Sequence, residues 1–152
     1  ASCTDMKAVI QRVRRASVAV DDHVIGEIER GVLIYLGVGP DDGPDQVAWL
    51  VDKIANVRIF DAPAGAKTTL SVKDVGGAAL VISQFTLLAD VRKGRRPSFA
   101  LAAAPEKASA LYDDFVDALG REVPVQNGTF GADMQVTSVN EGPFTLVLEH
   151  PH

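Results

Sequence analysis

Lys7-Ala-Val-Ile-Gln-Arg-Val13, Ser17-Val-Ala-Val20, Asp21-Asp22-His23 and Val24-Ile-Gly-Glu-Ile28 follow one another near the start of the chain. Apolar, alternating runs on either side of a short polar turn are the pattern of a β-hairpin. A chain that opens with a hairpin is not building a purely parallel, doubly wound sheet, in which crossover helices separate the strands from the outset. Gly31-Val-Leu-Ile-Tyr-Leu-Gly-Val38 is apolar on both faces, as a central strand is.

After the loop at Gly39 to Gly43, Pro44 suits the first turn of a helix. Val47, Leu50, Val51 and Ile54 then recur at i, i+3, i+4 and i+7, one apolar stripe. Val57 to Phe60 reads as strand and Asp61 to Lys67 as a surface loop. Gly76-Gly77 marks a turn before an expected strand from Ala79 to Leu87. Ala89 to Ala104 is a long connection with basic character. A second helix starts at Pro105, with Ala108, Leu111, Tyr112, Phe115 and Leu119 as its buried stripe and Gly120 at its end. Two strands, around 134–140 and 144–149, close the chain. The expected fold is one α/β domain with a curved, barrel-like, mostly antiparallel or mixed sheet and two main helices.

The 152 residues suffice for a single domain with a real core. A hydrophobic content of 47% and a charged content of 23% are those of a soluble globular protein. No apolar run approaches the roughly 20 residues that cross a bilayer. Ala1 to Asp5 fits no strand pattern, so Met6 reads as the natural start of a domain over 6–152, and residues 1–5 as a leader or a remnant. Cys3, the single cysteine, lies in that leader, so no internal disulfide forms. The cytoplasm is the default location. A net charge of −5 argues against generic coating of nucleic acid, though a local basic patch remains compatible with it.

Several chemistries are missing. The histidines are His23, in a turn, and His150 and His152, at the end of the chain. None is placed as the imidazole of a Ser-His-Asp site. No clustered Cys and His ligands stand ready for zinc, and there is no Walker loop or dinucleotide fingerprint. An enzyme built from this chain is expected to work without metal, cofactor or a histidine base.

Three features carry chemistry. Ser83-Gln84-Phe85-Thr86 ends a buried-looking run and brings hydroxyls and an amide to the mouth of a pocket, although threonine and phenylalanine are also ordinary strand residues. Arg92-Lys93-Gly94-Arg95-Arg96-Pro97-Ser98-Phe99 places four cations within five residues, followed by a hydroxyl and a ring. It suits phosphates and a stacked base, or is a plain solvated loop. Gly142-Pro143 interrupts the final apolar stretch, and proline has no N–H to give a ladder. The pair makes a stiff corner poor in side chains, or a simple turn between strands. Arg12, opposite Val13 in the alternation, is expected to be partly enclosed.

Together these segments resemble the D-aminoacyl-tRNA deacylases, also called D-tyrosyl-tRNA deacylases. The resemblance runs from Met6 to Glu149 through Ile10-Gln-Arg-Val13, Arg15-Ala-Ser-Val18, Gly26-Glu-Ile28, Leu36-Gly-Val38, Arg58-Ile-Phe60, Ser83-Gln-Phe-Thr-Leu87, Gly94 to Phe99, Met134-Gln-Val136 and Asn140-Glu-Gly-Pro-Phe-Thr145. It implies a homodimer with active sites at its interface. The implied reaction is hydrolysis of the ester joining a D-amino acid, or mischarged glycine, to the terminal adenosine of tRNA.

The resemblance also implies that Gly142 and Pro143, joined by a cis peptide, reach into the partner's pocket and reject L side chains, with Arg12 as their support. Ser83, Gln84, Phe85 and Thr86 become catalytic-pocket residues. Lys93, Arg95, Arg96, Ser98 and Phe99 become tRNA contacts. Thr86 as nucleophile and attack assisted by the tRNA 2'-OH are the two competing mechanisms. The missing base beside Thr86 favours the second. Phe144 departs from the family's usual valine and puts a larger ring beside the corner. The alternative from another class is a non-catalytic nucleic-acid-binding homodimer.

Overall fold

The computed structural model describes residues 6–63 and 69–150. The leader 1–5 with Cys3, most of the loop expected at 61–67, and His152 lie outside the described residues. Strand β1 (Lys7–Val20) turns directly into β2 (His23–Ile28). Val20 pairs His23 across a two-residue turn, with Asp21 and Asp22 at φ 51° and 66°. Positive φ at both positions matches the right-handed twist of the flanking strands, and aspartate tolerates it better than most residues. His23 therefore belongs to the strand and not to the turn.

Strand β3 (Gly31–Gly37) lies antiparallel beside the first half of β1, with Lys7 opposite Gly37 and Val13 opposite Gly31. After helix α1 (Pro44–Asn56) comes a small ribbon of β4 (Phe60–Asp61) and β5 (Thr69–Leu70). The expected strand at 57–60 is thus shorter and shifted. Strand β6 (Ala78–Ser83) runs parallel to β3, and β7 (Val125–Asn127) runs parallel to β6 after helix α2 (Pro105–Gly120). The last strand, β8 (Gln135–Glu149), covers the other side of β1 along nearly its whole length. Antiparallel pairs around β1 and parallel pairs around β6 make the sheet mixed, and β2 comes round to touch β6 and β7. The result is the barrel-like sheet with two helices that the sequence predicts.

Alternation in β3 and β6 sends side chains to two cores. Val32, Ile34, Leu36, Ala79 and Val81 face the helices and pack on Leu50, Ile54, Phe115 and Leu119. Leu33, Leu80 and Ile82 face inward and meet Val13, Ala16, Val18 and Ile28 from β1 and β2. Both helical stripes are buried as the spacing predicts. Helix α1 is started by Gln46, whose Oε1 accepts the Gly43 N–H at 2.8 Å.

Two boundaries differ from the sequence reading. The strand expected to run from Ala79 to Leu87 stops at Ser83 and becomes a 3-10 turn over Phe85–Leu88. Its sheet partners run out there: β7 ends opposite Val81, and β3 ends just past Leu36, the partner of Ser83. Without a ladder the backbone bonds locally, Leu87 N–H to Gln84 O at 3.2 Å and Ala89 N–H to Thr86 O at 3.0 Å. The two closing strands are in fact one. Thr145 pairs Gln11 and Asn140 pairs Val13, so residues 141–144 bulge out opposite Arg12 alone.

Candidate active site

Ser83 and Gln84 leave the sheet at the end of β3, where the Gln84 N–H donates to Leu36 O at 2.8 Å. The following turn lies close against β3. A Cβ on Gly37 would stand 3.1 Å from Gln84 O and 3.2 Å from Leu87 Cβ, so glycine allows this approach. Leu88 is buried and anchors the turn, while Phe85 and Thr86 are left exposed. The Gln84 side-chain amide donates to Thr86 Oγ1.

Beside this turn is a cavity of about 520 Å³. Ser83, Gln84 and Phe85 form one side of it, and Phe99, Phe130, Met134 and Val136 supply an apolar wall. Phe99 meets Phe85 edge-on, with ring centroids 4.9 Å apart. The size and the mix of aromatic surface with a few polar groups fit a nucleoside-sized or aminoacyl ligand. Thr86 lies next to the cavity through its bond to Gln84 and is not among the lining residues. His23 and His150 do not line it either; His150 packs edge-on against Trp49 with ring centroids 5.3 Å apart.

Tyr112, from α2, lies beneath this region and donates to Val81 O at 2.8 Å, which ties the helix to β6. Burial pushes its phenol up to about 12. Phe130, Met134 and Tyr112's polar link went unforeseen as site features. The available signal was the glycine-bearing stretch Gly128-Thr-Phe-Gly131 between two strands, which commonly marks a loop with a special backbone.

The Gly142–Pro143 corner is a separate construction. The peptide between the two residues is cis, Gly142 has φ +139°, and both residues are exposed. Arg12 holds the corner from below. Its Nε donates to Glu141 O at 3.0 Å, its Nη1 donates to Ile59 O at 2.6 Å, and its guanidinium lies 4.9 Å from the centre of the Phe144 ring. Asn140 closes the bulge by accepting the Phe144 N–H at 2.8 Å and donating to Thr145 Oγ1 at 3.0 Å. The larger ring at 144 thus becomes a platform for Arg12.

One chain does not bring the corner and the cavity turn together. Arg12 stands opposite Val32 at the start of β3, and Gln84 bonds Leu36 at its end. Those two positions are about 13 Å apart along the strand at the usual rise per residue.

The basic segment is an exposed loop from Val91 to Ala100, closed at its base where Asp90 and Ser98 exchange both backbone bonds, 2.8 and 2.7 Å long. Arg92 is engaged by Asp90, its Nη2 2.8 Å from Oδ2. Among the described residues no carboxylate pairs with Lys93, Arg95 or Arg96. No group of three or more His, Cys, Asp or Glu among the described residues could hold a metal ion. No described helix is long and apolar enough to cross a membrane.

The family model for D-Tyr-tRNA(Tyr) deacylase matches residues 9–149. The solved structure of the c-Myc DNA unwinding element binding protein is 40% identical, with a TM-score of 0.90, covering 96% of this chain and 99% of that one. That of a probable eukaryotic D-amino acid tRNA deacylase is 20% identical, with a TM-score of 0.81, covering 95% and 99%, and supports the fold.

Proposed function

The chain belongs to the D-Tyr-tRNA(Tyr) deacylase family and is a D-aminoacyl-tRNA deacylase, a hydrolase acting on tRNA; from that premise we propose how its residues divide the work. Two copies form a homodimer in the cytoplasm, where translation uses the tRNA. The Gly142–Pro143 corner of each enters the cavity beside Gln84 and Phe85 of the other. A two-fold axis makes the contact occur twice. The observation that carries this reading is the corner itself: exposed, poor in side chains, braced by Arg12, and at the far end of β3 from its own cavity.

The substrate is the ester between a D-amino acid, or mischarged glycine, and the 3'-terminal adenosine of tRNA. Backbone carbonyls at the corner leave room for hydrogen or a D side chain and clash with an L side chain. Water adds to the carbonyl, the bond to the ribose 3' oxygen breaks, and the free amino acid and the tRNA 3'-OH are released. Thr86 is bonded to the Gln84 amide and has no histidine beside it among the described residues, which leaves it a weak nucleophile. The neighbouring ribose 2'-OH is the better partner for the proton. Lys93, Arg95, Arg96, Ser98 and Phe99 meet the tRNA's phosphates and a base, while Ser83 and Phe85 border the ester.

The test compares D- and L-tyrosyl-tRNA as substrates of the purified protein. Fast loss of the D ester with a largely intact L ester is expected; equal rates would remove the chirality role from the corner. The name of the 40% identical neighbour favours a second role beside the hydrolysis, binding of DNA. Tight DNA binding by the purified protein would support it, and no binding above that of an unrelated acidic protein would remove it.

A further inference from the structure

We propose that Asp90 is a positioning residue for tRNA binding: through Arg92 it clamps the basic loop that carries Lys93, Arg95 and Arg96 and that ends on Phe99 at the cavity wall. The proposal rests on the reading of that loop as a tRNA contact. An acidic residue beside a phosphate-binding loop is at first sight a liability, because it repels the ligand. Here its charge is used locally. Asp90 Oδ1 accepts the Arg92 backbone N–H at 3.0 Å and the Arg92 Nε–H at 2.9 Å, and Oδ2 accepts from Nη2 at 2.8 Å. The arginine fork is the first cause, and the backbone N–H the second, of an Asp90 carboxyl held down at about 2, so the clamp is charged at any working pH.

The clamp sits at the closed base of the loop. Asp90 also pairs Ser98 through the backbone, and Phe99, the next residue, packs against Phe85 at the cavity. The loop therefore has two fixed feet, one of them on the cavity wall. Between them Gly94, at φ +78°, reverses the chain in open space, and among the described residues no ion pair holds the remaining cations. A bidentate arginine–carboxylate pair two residues apart fixes the direction in which that segment leaves the base. Arg92 is spent on this bond, which separates it from its three cationic neighbours in role.

The test exploits the sign of the charge. Asp90→Asn removes a negative charge, so simple attraction to tRNA predicts tighter binding. The clamp predicts the opposite: affinity for uncharged tRNA about two- to five-fold weaker, the scale an exposed pair of good geometry supports, and a shallower dependence on salt. Arg92→Lys keeps the net charge, loses the fork and weakens binding to a similar degree. With D-tyrosyl-tRNA the loss falls in KM more than in kcat. Thermal unfolding of each variant separates loop positioning from loss of fold. Asp90→Asn binding as tightly as the wild type, or more tightly, overturns the proposal. The triple variant Lys93→Ala, Arg95→Ala, Arg96→Ala tests the underlying reading separately: an unchanged salt slope there means the loop does not touch tRNA, and the clamp falls with it.

Discussion

Replacing Gly142 with alanine probes the corner at its tightest point. The added Cβ would lie 3.0 Å from Phe144 N, 3.1 Å from Arg12 Nη2 and 3.3 Å from Phe144 Cβ. The residue would also have to hold φ +139°, which side chains other than hydrogen rarely adopt. Such strain costs about 1–3 kcal/mol. For a chain of this size each kcal/mol is about 2–4 °C in Tm, so Tm falls by roughly 2–12 °C. The functional effect is larger. Relief of the contact moves either the corner or the Arg12 guanidinium that bonds Glu141 O. A displacement near 1 Å at a positioning group costs about 10²-fold. Deacylation of D-tyrosyl-tRNA is expected to fall by about one to two orders of magnitude, with a lower ratio of D to L rates. A lowered Tm with an unchanged rate and an unchanged D-to-L ratio would show that the corner only shapes the strand.

Thr86→Ala is expected to keep activity within about ten-fold of wild type, as attack assisted by the ribose requires; near-complete loss with tRNA binding and fold intact would point to Thr86 as the nucleophile. Arg12→Lys cannot reach Ile59 O and Glu141 O together, and losing one charge-assisted bond costs about 1.5–3 kcal/mol; denaturant unfolding should read that loss alongside slower D-tyrosyl-tRNA hydrolysis, and a fully active, equally stable variant would remove Arg12 from the support of the corner. Tyr112 supplies a pH dependence. Its phenol keeps its proton in the fold to about 12, whereas an unfolded chain releases it near 10. That contribution is present below pH 10 and is lost as the pH rises toward 12. Tyr112→Phe should be less stable at neutral pH and show a smaller further loss above pH 10; an identical alkaline slope would contradict the assignment.

The parts of this molecule that were legible in its sequence are those that local pattern controls. The helical stripes from Val47 and from Ala108 need only the 3.6-residue period and a proline at the first turn. The β1–β2 hairpin needs only alternation around two aspartates. Strand ends were less legible, because they depend on where a neighbour stops. Ser83 ends β6 since β3 and β7 have run out, a fact carried by residues some fifty positions away on either side. The break expected at Gly142–Pro143 proved to be a bulge in one strand because β1 continues past it and recaptures β8 at Val13. At the site, the polar segment Ser83 to Thr86 and the corner stood out as residue types in unusual places. The apolar wall of Phe130 and Met134 did not, since ordinary core residues become a cavity lining only through tertiary placement. The Asp90–Arg92 clamp was hidden for a related reason: an acid beside a basic run reads as mere charge balance until the fork geometry is seen.

Mixing two impaired variants tests most directly the proposal that each site is shared between two chains. Gly142→Ala carries an intact cavity with a damaged corner, and Gln84→Ala carries an intact corner with a damaged cavity. When equal amounts are dissociated and reassociated, half the dimers pair unlike chains, and each of those holds one undamaged site. The account predicts recovery of D-tyrosyl-tRNA deacylation to about a quarter of the wild-type rate, as a two-fold arrangement with one corner and one cavity per site requires. Activity of the mixture no greater than the mean of the two variants, or a monomer by sedimentation, would contradict it.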